Sequence, residues 1–307
     1  MIQGIGLNVV DYGAKGDGVT DDTSAIIAAL SALPSSNGVL YFGPGNYLIT
    51  SALSLSKTNT KIYGQGAKIT QSGSLQQCFN VSADQIEIFD LWIYNSQGGS
   101  NWNDSSYTNA IGIVINGNYT KIKNCRIENW GSIGIRVETG AGSEIVDCAL
   151  IGIGSAGGLV YGSNHNTGIE VLSTGLAEQF TGLRIRNNRI VNWAQGITTA
   201  QNLFDLSIEG NEIVNIVGQH GIYCDNIQNL SIIGNVINTA GLNGIKVQVA
   251  NGSATNTQAV SIVGNVVSNV GDSGIAIVYA TGTAYQIGLT ITGNAIYNPT
   301  ADGIQLY

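Results

Sequence analysis

One unit recurs through most of this chain. Residues 206–225 read LSIEGNEIVNIVGQHGIYCD, and residues 230–247, 260–277 and 289–306 follow the same plan. The shared pattern is L-x-I-x-x-N-x-I-x-N, a variable link, then G-I-x-V. Short period-2 apolar runs broken by Gly and Asn predict short strands joined by tight turns. The pattern extends back through residues 183–197, 145–171, 122–137 and 86–115. Its G-I glycine falls at Gly112, Gly134, Gly168, Gly196, Gly221, Gly244, Gly274 and Gly303. That makes eight turns, spaced 22 to 34 residues apart. Units of this length with no 3.6-residue period predict a parallel β-solenoid rather than a helical one.

Aligning the units sorts residues into columns. One column is Cys125, Cys148, Asn188, Asn211, Asn235, Asn265 and Asn294; another is Asn95, Asn129, Asn192, Asn215, Asn269 and Asn298. Identical amides on turns about 4.8 Å apart can hydrogen-bond along the stack, so both columns are expected to be turn-fixing ladders. A third column, Ile122, Ile145, Ile185, Ile208, Ile232, Ile262 and Ile291, is expected to line the core.

Composition agrees with a neutral-faced solenoid: charged residues are 10% of the 307, and 42 are Gly. The 43% hydrophobic content is patterned, unlike a disordered chain. A net charge of −8 opposes a polyphosphate partner, so nucleic acid is excluded as a partner class. No apolar run reaches the length of a membrane span, and no secretory leader is recognised at Met1. The four Cys lack C-x-x-C spacing; Cys125 and Cys148 share a column and are expected to be stacked buried thiols.

Residues 8–38 precede the repeat. A strand and a Gly-rich turn lead into a helix from about Thr23, capped by Asp22 or Thr23, with Ile26, Ile27, Leu30 and Leu33 on its apolar face. Pro34 and Gly38 mark its end. This helix is expected to cap the open N-terminal end of the solenoid, formed by residues 39–307, so that residues 1–307 make one β-helix domain. Asp17, Asp21 and Asp22 offer the one acidic group that a calcium ion could use; turn and cap roles are expected of them, and no other cofactor is.

The segment Asp11-Tyr12-Gly13-Ala14-Lys15-Gly16-Asp17-Gly18, then Asp21-Asp22-Thr23, the helix, and Gly38-Val39-Leu40-Tyr41-Phe42-Gly43-Pro44-Gly45-Asn46-Tyr47 resembles the start of the pectate-lyase-3 superfamily. The resemblance implies an all-β, right-handed parallel β-helix. It also implies a polysaccharide as ligand: the superfamily holds polygalacturonase-like hydrolases, alginate epimerases and bacteriophage tailspikes. Fold alone does not give the reaction. The polygalacturonase motifs N-T-D, D-D, H-G and R-I-K do not occur in that order; the nearest matches are His220-Gly221, Asp272 and Asp302-Gly303. The epimerase motif Y-G-F-D-P-H is absent. A tailspike-like depolymerase, extracellular or on a virion surface, is the leading expectation. A non-catalytic adhesin and a secreted lyase or epimerase are the rivals.

Two insertions, residues 96–109 with Trp102 and Tyr107 and residues 153–167 with Tyr161 and His165, both lead into a G-I strand. They are expected to overhang one face and to offer aromatic rings to sugars. The outward residues of that face are Val114, Arg136, Glu170, Thr198, Tyr223, Lys246, Ala276 and Gln305. Arg136 and Glu170 are expected to form a surface ion pair next to the substrate. Tyr223, Asp225 and His220, with Lys246 on the next turn, form the densest group and are the candidate catalytic residues. Lys246 would offset a uronate carboxylate, and Tyr223 or His220 would move the C5 proton. Asp225 and Glu170 stand roughly 12 Å apart by strand spacing, beyond the usual glycosidase separation.

The sides carry Lys121, Lys123, Arg126, Glu144, Arg184, Arg186, Arg189, Glu209 and Glu212, whose alternating signs predict ion pairs along the stack. Later turns replace them with Ile233, Val236, Val263, Val266 and Ala295. Such an apolar row predicts a covered surface, as in a homotrimer. The C-terminal stop at Tyr307, just after a strand, is expected to mean an oligomer or further chain.

Overall fold

The computed structural model describes residues 6–73, 77–97, 110–154, 166–172, 181–199, 203–225, 227–249, 258–279 and 287–307. Three parallel sheets run the length of these residues, with 11, 11 and 10 strands. The first runs from Leu7–Asn8 to Ile287–Thr292, and the second from Asp17–Asp21 to Ala295–Pro299. The third runs from Leu53–Leu55 to Ile304–Leu306 and contains the G-I-x-V strands. Each turn of chain adds one strand to each sheet in a fixed cycle, which makes a right-handed parallel β-helix.

The core is a stack of aliphatic columns. Ile122, Ile145, Ile185, Ile208, Ile232 and Ile262 are fully buried, in register across the first sheet. Ile291 is only partly buried, on the strand at the edge of the first sheet among the described residues.

The corner between the first and second sheets uses a left-handed residue followed by the ladder residue. Asn124, Asp147, Asn187, Gly210, Gly234, Gly264 and Gly293 all have φ between 52° and 65° there. The ladder is continuous after Cys148. Asn188 donates its backbone N–H and its Nδ2 to Asn211 Oδ1, each at 3.0 Å, and Nδ2 also to Ile145 O at 2.9 Å. Asn211, Asn235 and Asn265 repeat the scheme to Asn294. Cys125 and Cys148 are free, buried thiols in the same column, directed at backbone carbonyls.

The second amide column does a different job. Asn129, Asn192, Asn215, Asn269 and Asn298 supply positive φ, and Thr239 takes the slot between Asn215 and Asn269. Asn269 therefore donates to Asn238 instead, at 2.9 Å, and the ladder is interrupted. Asn tolerates this backbone region better than a β-branched residue does.

The G-I glycine has a steric cause. At Gly112, Gly134, Gly168, Gly196, Gly221, Gly244 and Gly274 an added Cβ would come under 3.0 Å from the carbonyl oxygen of the equivalent glycine on the next turn. At Gly303, next to the strand at the edge of the third sheet among the described residues, nothing lies within 4 Å.

The helix α1 (Thr23–Ala32) covers the N-terminal end with Ile26, Ala29 and Leu30 buried, while Ile27 is exposed. Its cap differs from expectation. Asp22 makes no side-chain bond into the helix; its carboxylate accepts from Lys15 N at 2.6 Å and Gly16 N at 3.0 Å. Asp21 accepts from Thr23 N at 3.0 Å, and Asp17 from Val19 N and Thr20 N at 2.9 and 2.8 Å. The three carboxylates thus bind backbone and hydroxyl donors, as turn residues do. Among the described residues no group of three or more His, Cys, Asp or Glu side chains is placed to hold a metal ion. Lys57 closes the other end of the helix by donating to the Ser31 and Leu33 carbonyls.

Candidate functional site on the outer face of the third sheet

Register places the outward column of the third sheet as the repeat predicts. Val114, Arg136, Glu170, Thr198, Tyr223, Lys246, Ala276 and Gln305 pair one to the next. Their surroundings then divide the face in two.

In the earlier turns the face is closed. Ile111, Val114 and Ile133 form an apolar cluster outside the main core. Arg136 Nε reaches Glu170 Oε2 at 2.7 Å, but Glu170 is only 1% exposed. The expected surface ion pair is therefore covered on its Glu170 side, while the Arg136 side chain stays partly exposed. The chain re-enters the described fold at Ala110 and Asn166, just before these two buried strands. Trp102, Tyr107, Tyr161 and His165 lie outside the described residues.

Burial raises the Glu170 carboxyl above its usual value; Arg136 opposes this and Glu138 adds to it. A raised folded-state pKa stabilises the fold below the unfolded value near 4.5, and that stability is lost as pH rises through the folded value. Thermal unfolding followed against pH should show this decline, and Glu170→Gln should flatten it.

The later turns carry the polar cluster. His220 stacks on Tyr223 with ring centroids 5.5 Å apart, and Lys246 Nζ stands 5.7 Å from the Tyr223 centroid. The Tyr223 hydroxyl donates to Gln248 Oε1 at 3.0 Å. Gln248 is the register partner of Asp225. Gln195 donates to Gln219 and accepts from Thr198, which continues the polar stripe toward the earlier turns. Ser273 bridges Asp272 and Gln305 at 3.4 and 3.0 Å, which continues it the other way. The structure thus brings His220, Tyr223, Asp225 and Lys246 onto two adjacent turns, and leaves Arg136 and Glu170 in a separate ion pair.

The protonation states narrow what the cluster can do. Burial pushes His220 down to about 4; Lys246 adds to that shift and Asp272 opposes it. His220 Nδ1 accepts the backbone N–H of Asn243 at 3.3 Å. A neutral imidazole that accepts at Nδ1 carries its proton at Nε2, so His220 holds a donor there. Burial, followed by Asp225 and Cys224, pushes Tyr223 up to about 12, so it stays a phenol. Tyr223 as a phenol and His220 with its Nδ1 taken by the Asn243 N–H do not present a free base for the C5 proton in this arrangement. Gln219 and the Asn243 backbone escaped the sequence reading. Gln219 stands beside the repeat rather than in a column, and a backbone donor leaves no mark in a sequence.

A three-sheet right-handed β-helix with a polar stripe on its G-I face defines a class of solenoid proteins. Residues 6–215 match the family described as rhamnogalacturonase A/epimerase, pectate lyase-like, and the chain belongs to that family. A glucan 1,3-beta-glucosidase of Cochliobolus carbonum is 34% identical over 92 residues, which is 30% of this chain and 11% of that protein. The chain thus spans about a tenth of the curated relative it matches. Among solved structures, the Dettilon tailspike protein has a TM-score of 0.68 at 17% identity, over 98% of this chain and 68% of that one. The surface protein and adhesin PfbA of Streptococcus pneumoniae has a TM-score of 0.62 at 17% identity, over 98% and 100%. At these identities the structural likeness establishes the fold.

Proposed function

We propose that this protein binds and cleaves a polysaccharide outside the cell, at a cell or virion surface, along the later turns of the third sheet. The observation that carries the reading is the convergence of His220, Tyr223 and Lys246, with Gln248 and Asp225 alongside, on adjacent turns. Donors and a cation spaced by strand pairing suit a linear chain of hydroxyls and acid groups. The names of the relatives, a glucosidase and a tailspike, support a carbohydrate ligand. Within this site Lys246 meets negative charge on the glycan, and Tyr223 and His220 donate to glycan oxygens. The phenol state of Tyr223 speaks against proton abstraction by that residue, and Asp225 is the carboxylate of the cluster.

Digestion of a panel of capsular, exopolysaccharide and plant uronic polysaccharides tests this. New reducing ends without the ultraviolet absorbance of an unsaturated uronate are expected. That absorbance would instead establish a lyase and return Tyr223 to a base role. Tyr223→Phe and Lys246→Ala should each lower turnover on the order of tenfold or more, with circular dichroism unchanged. Unchanged turnover in both would remove the site from these turns.

A binding-only role is the second reading. It is favoured by His220 and Tyr223 both staying neutral around pH 7, and by the likeness to an adhesin. Retained glycan binding with no product across the panel would select it.

The assembly reading rests on the sheet corner of the later turns. Ile233, Val236 and Val266 are 39%, 44% and 37% exposed, and they stack in register with half-buried Val263 and Ala295. An exposed β-branched stripe of this kind suits a self-associating surface, as in a homotrimer. In earlier turns the same columns are charged: Arg186, in the column of Ile233, pairs with Glu144 at 3.2 Å, and Arg189, in the column of Val236, with Glu212 at 3.1 Å. Val236→Glu with Val266→Glu should convert a trimer to monomers in sedimentation analysis; a wild-type monomer would sink the assignment.

A further inference from the structure

The corner between the first and second sheets carries a second feature, in the early turns and on a different sheet from the polar stripe. There Lys68, Trp92 and Arg126 follow one another in register on three strands of the second sheet. Lys68 Nζ lies 4.2 Å from the Trp92 ring centroid and 3.9 Å from that of Tyr94. The Arg126 guanidinium lies 5.2 Å from the Trp92 centroid. Beside them opens a cleft of about 510 Å³, lined by Gln65, Asp90, Trp92, Asn124 and Arg126 among others.

The charges in this cleft and on Lys68 beside it are unevenly committed. Arg126 Nε holds Glu128 at 2.8 Å, and Asp90 accepts from Asn124 Nδ2 at 2.7 Å. Lys68 has no carboxylate within 4.0 Å among the described residues; its ammonium rests on the two rings alone. The buried Trp92 Nε1 has no hydrogen-bond partner among the described residues. A cation on an aromatic face is held more weakly than one bonded to a carboxylate.

We infer that this corner is an accessory binding site for an acidic saccharide. The sugar carboxylate draws Lys68 off the indole and engages the remaining N–H groups of Arg126. The freed face of Trp92 then meets the apolar face of the same sugar, while Gln65 and Asn124 reach its hydroxyls. A ligand of this chemistry matches the uncommitted ammonium, the planar guanidinium and the open cleft together. A neutral sugar would leave Lys68 where it is and the ring face covered. The inference does not depend on the third-sheet site.

The test uses the full chain with trigalacturonate, trimannuronate and neutral maltotriose as probes, followed by calorimetry and tryptophan fluorescence. At least one acidic probe should bind and shift the fluorescence, and maltotriose should not. Lys68→Gln and Trp92→Phe should each weaken that binding on the order of tenfold. Trp92→Phe should also remove the fluorescence change, with circular dichroism and melting temperature confirming the fold of both variants. Lys246→Ala should leave the tryptophan fluorescence change intact, which separates it from the third-sheet site. Equal binding of maltotriose would overturn the acidic specificity. Failure of both acidic probes to bind, or binding unchanged in both folded variants, would overturn the site and leave the cations and indole a purely structural stack.

Discussion

Gly221→Ala should abolish or severely weaken folding, while Gly303→Ala, at the same repeat position, should be nearly silent. A Cβ at Gly221 would lie 2.7 Å from the Gly244 carbonyl oxygen and 2.7 Å from Ile237 Cγ2. The oxygen belongs to the backbone of the next turn, which is pinned by Gly221 N–H to Asn243 O and Ile222 N–H to Gly244 O at 3.1 and 2.9 Å. Neither side can yield without moving a strand, so the cost should exceed the usual ~1–3 kcal/mol of overpacking. Gly303 meets nothing within 4 Å. Urea unfolding of the two variants beside wild type measures the difference. Equal destabilisation would show that the glycine is selected for backbone freedom and not for the close approach of turns.

Asn211→Ala should be the second largest loss. Asn211 is almost wholly buried, and its amide serves three neighbours. Oδ1 accepts from Asn188 N and Asn188 Nδ2, each at 3.0 Å, while Nδ2 donates to Ile185 O and Asn235 Oδ1, each at 2.9 Å. Truncation leaves the two Asn188 donors and the Ile185 carbonyl buried without this partner. At about 1–3 kcal/mol for each unsatisfied group, a loss on the order of 3–5 kcal/mol is expected. Asn298→Ala is the control. That exposed side chain makes one 3.3 Å bond, to Asn269 Oδ1, and its removal should cost under about 1 kcal/mol. Chemical denaturation of both variants decides whether the ladder or the left-handed turn carries more of the stability.

These variants act on what was legible before any coordinates. The period of the repeat assigns Ile, Asn and Gly to columns, and strand pairing turns columns into contacts. The Asn188–Asn294 ladder and the outward column from Val114 to Gln305 follow from that arithmetic alone. So does the grouping of His220, Tyr223 and Lys246, because register fixes which residues meet on neighbouring strands.

Depth is what the repeat does not encode. Glu170 holds the same column position as Tyr223 and Lys246, yet it is buried while they are half-buried and line a polar stripe. That difference depends on what else packs against the face, not on the period. Roles that depend on backbone donors were equally hidden: Asn243 N–H sets the His220 tautomer, and Lys15 and Gly16 N–H claim Asp22. The Lys68–Trp92–Arg126 column sits in turns whose repeat is weakest, so its register appeared only in three dimensions. By itself the sequence determined the β-helix, its ladders and its outward columns, since these follow from residue spacing along stacked strands. Tertiary structure alone decided which outward residues are covered, which are charged and which are open to a ligand, because solvation is set by neighbours distant in sequence.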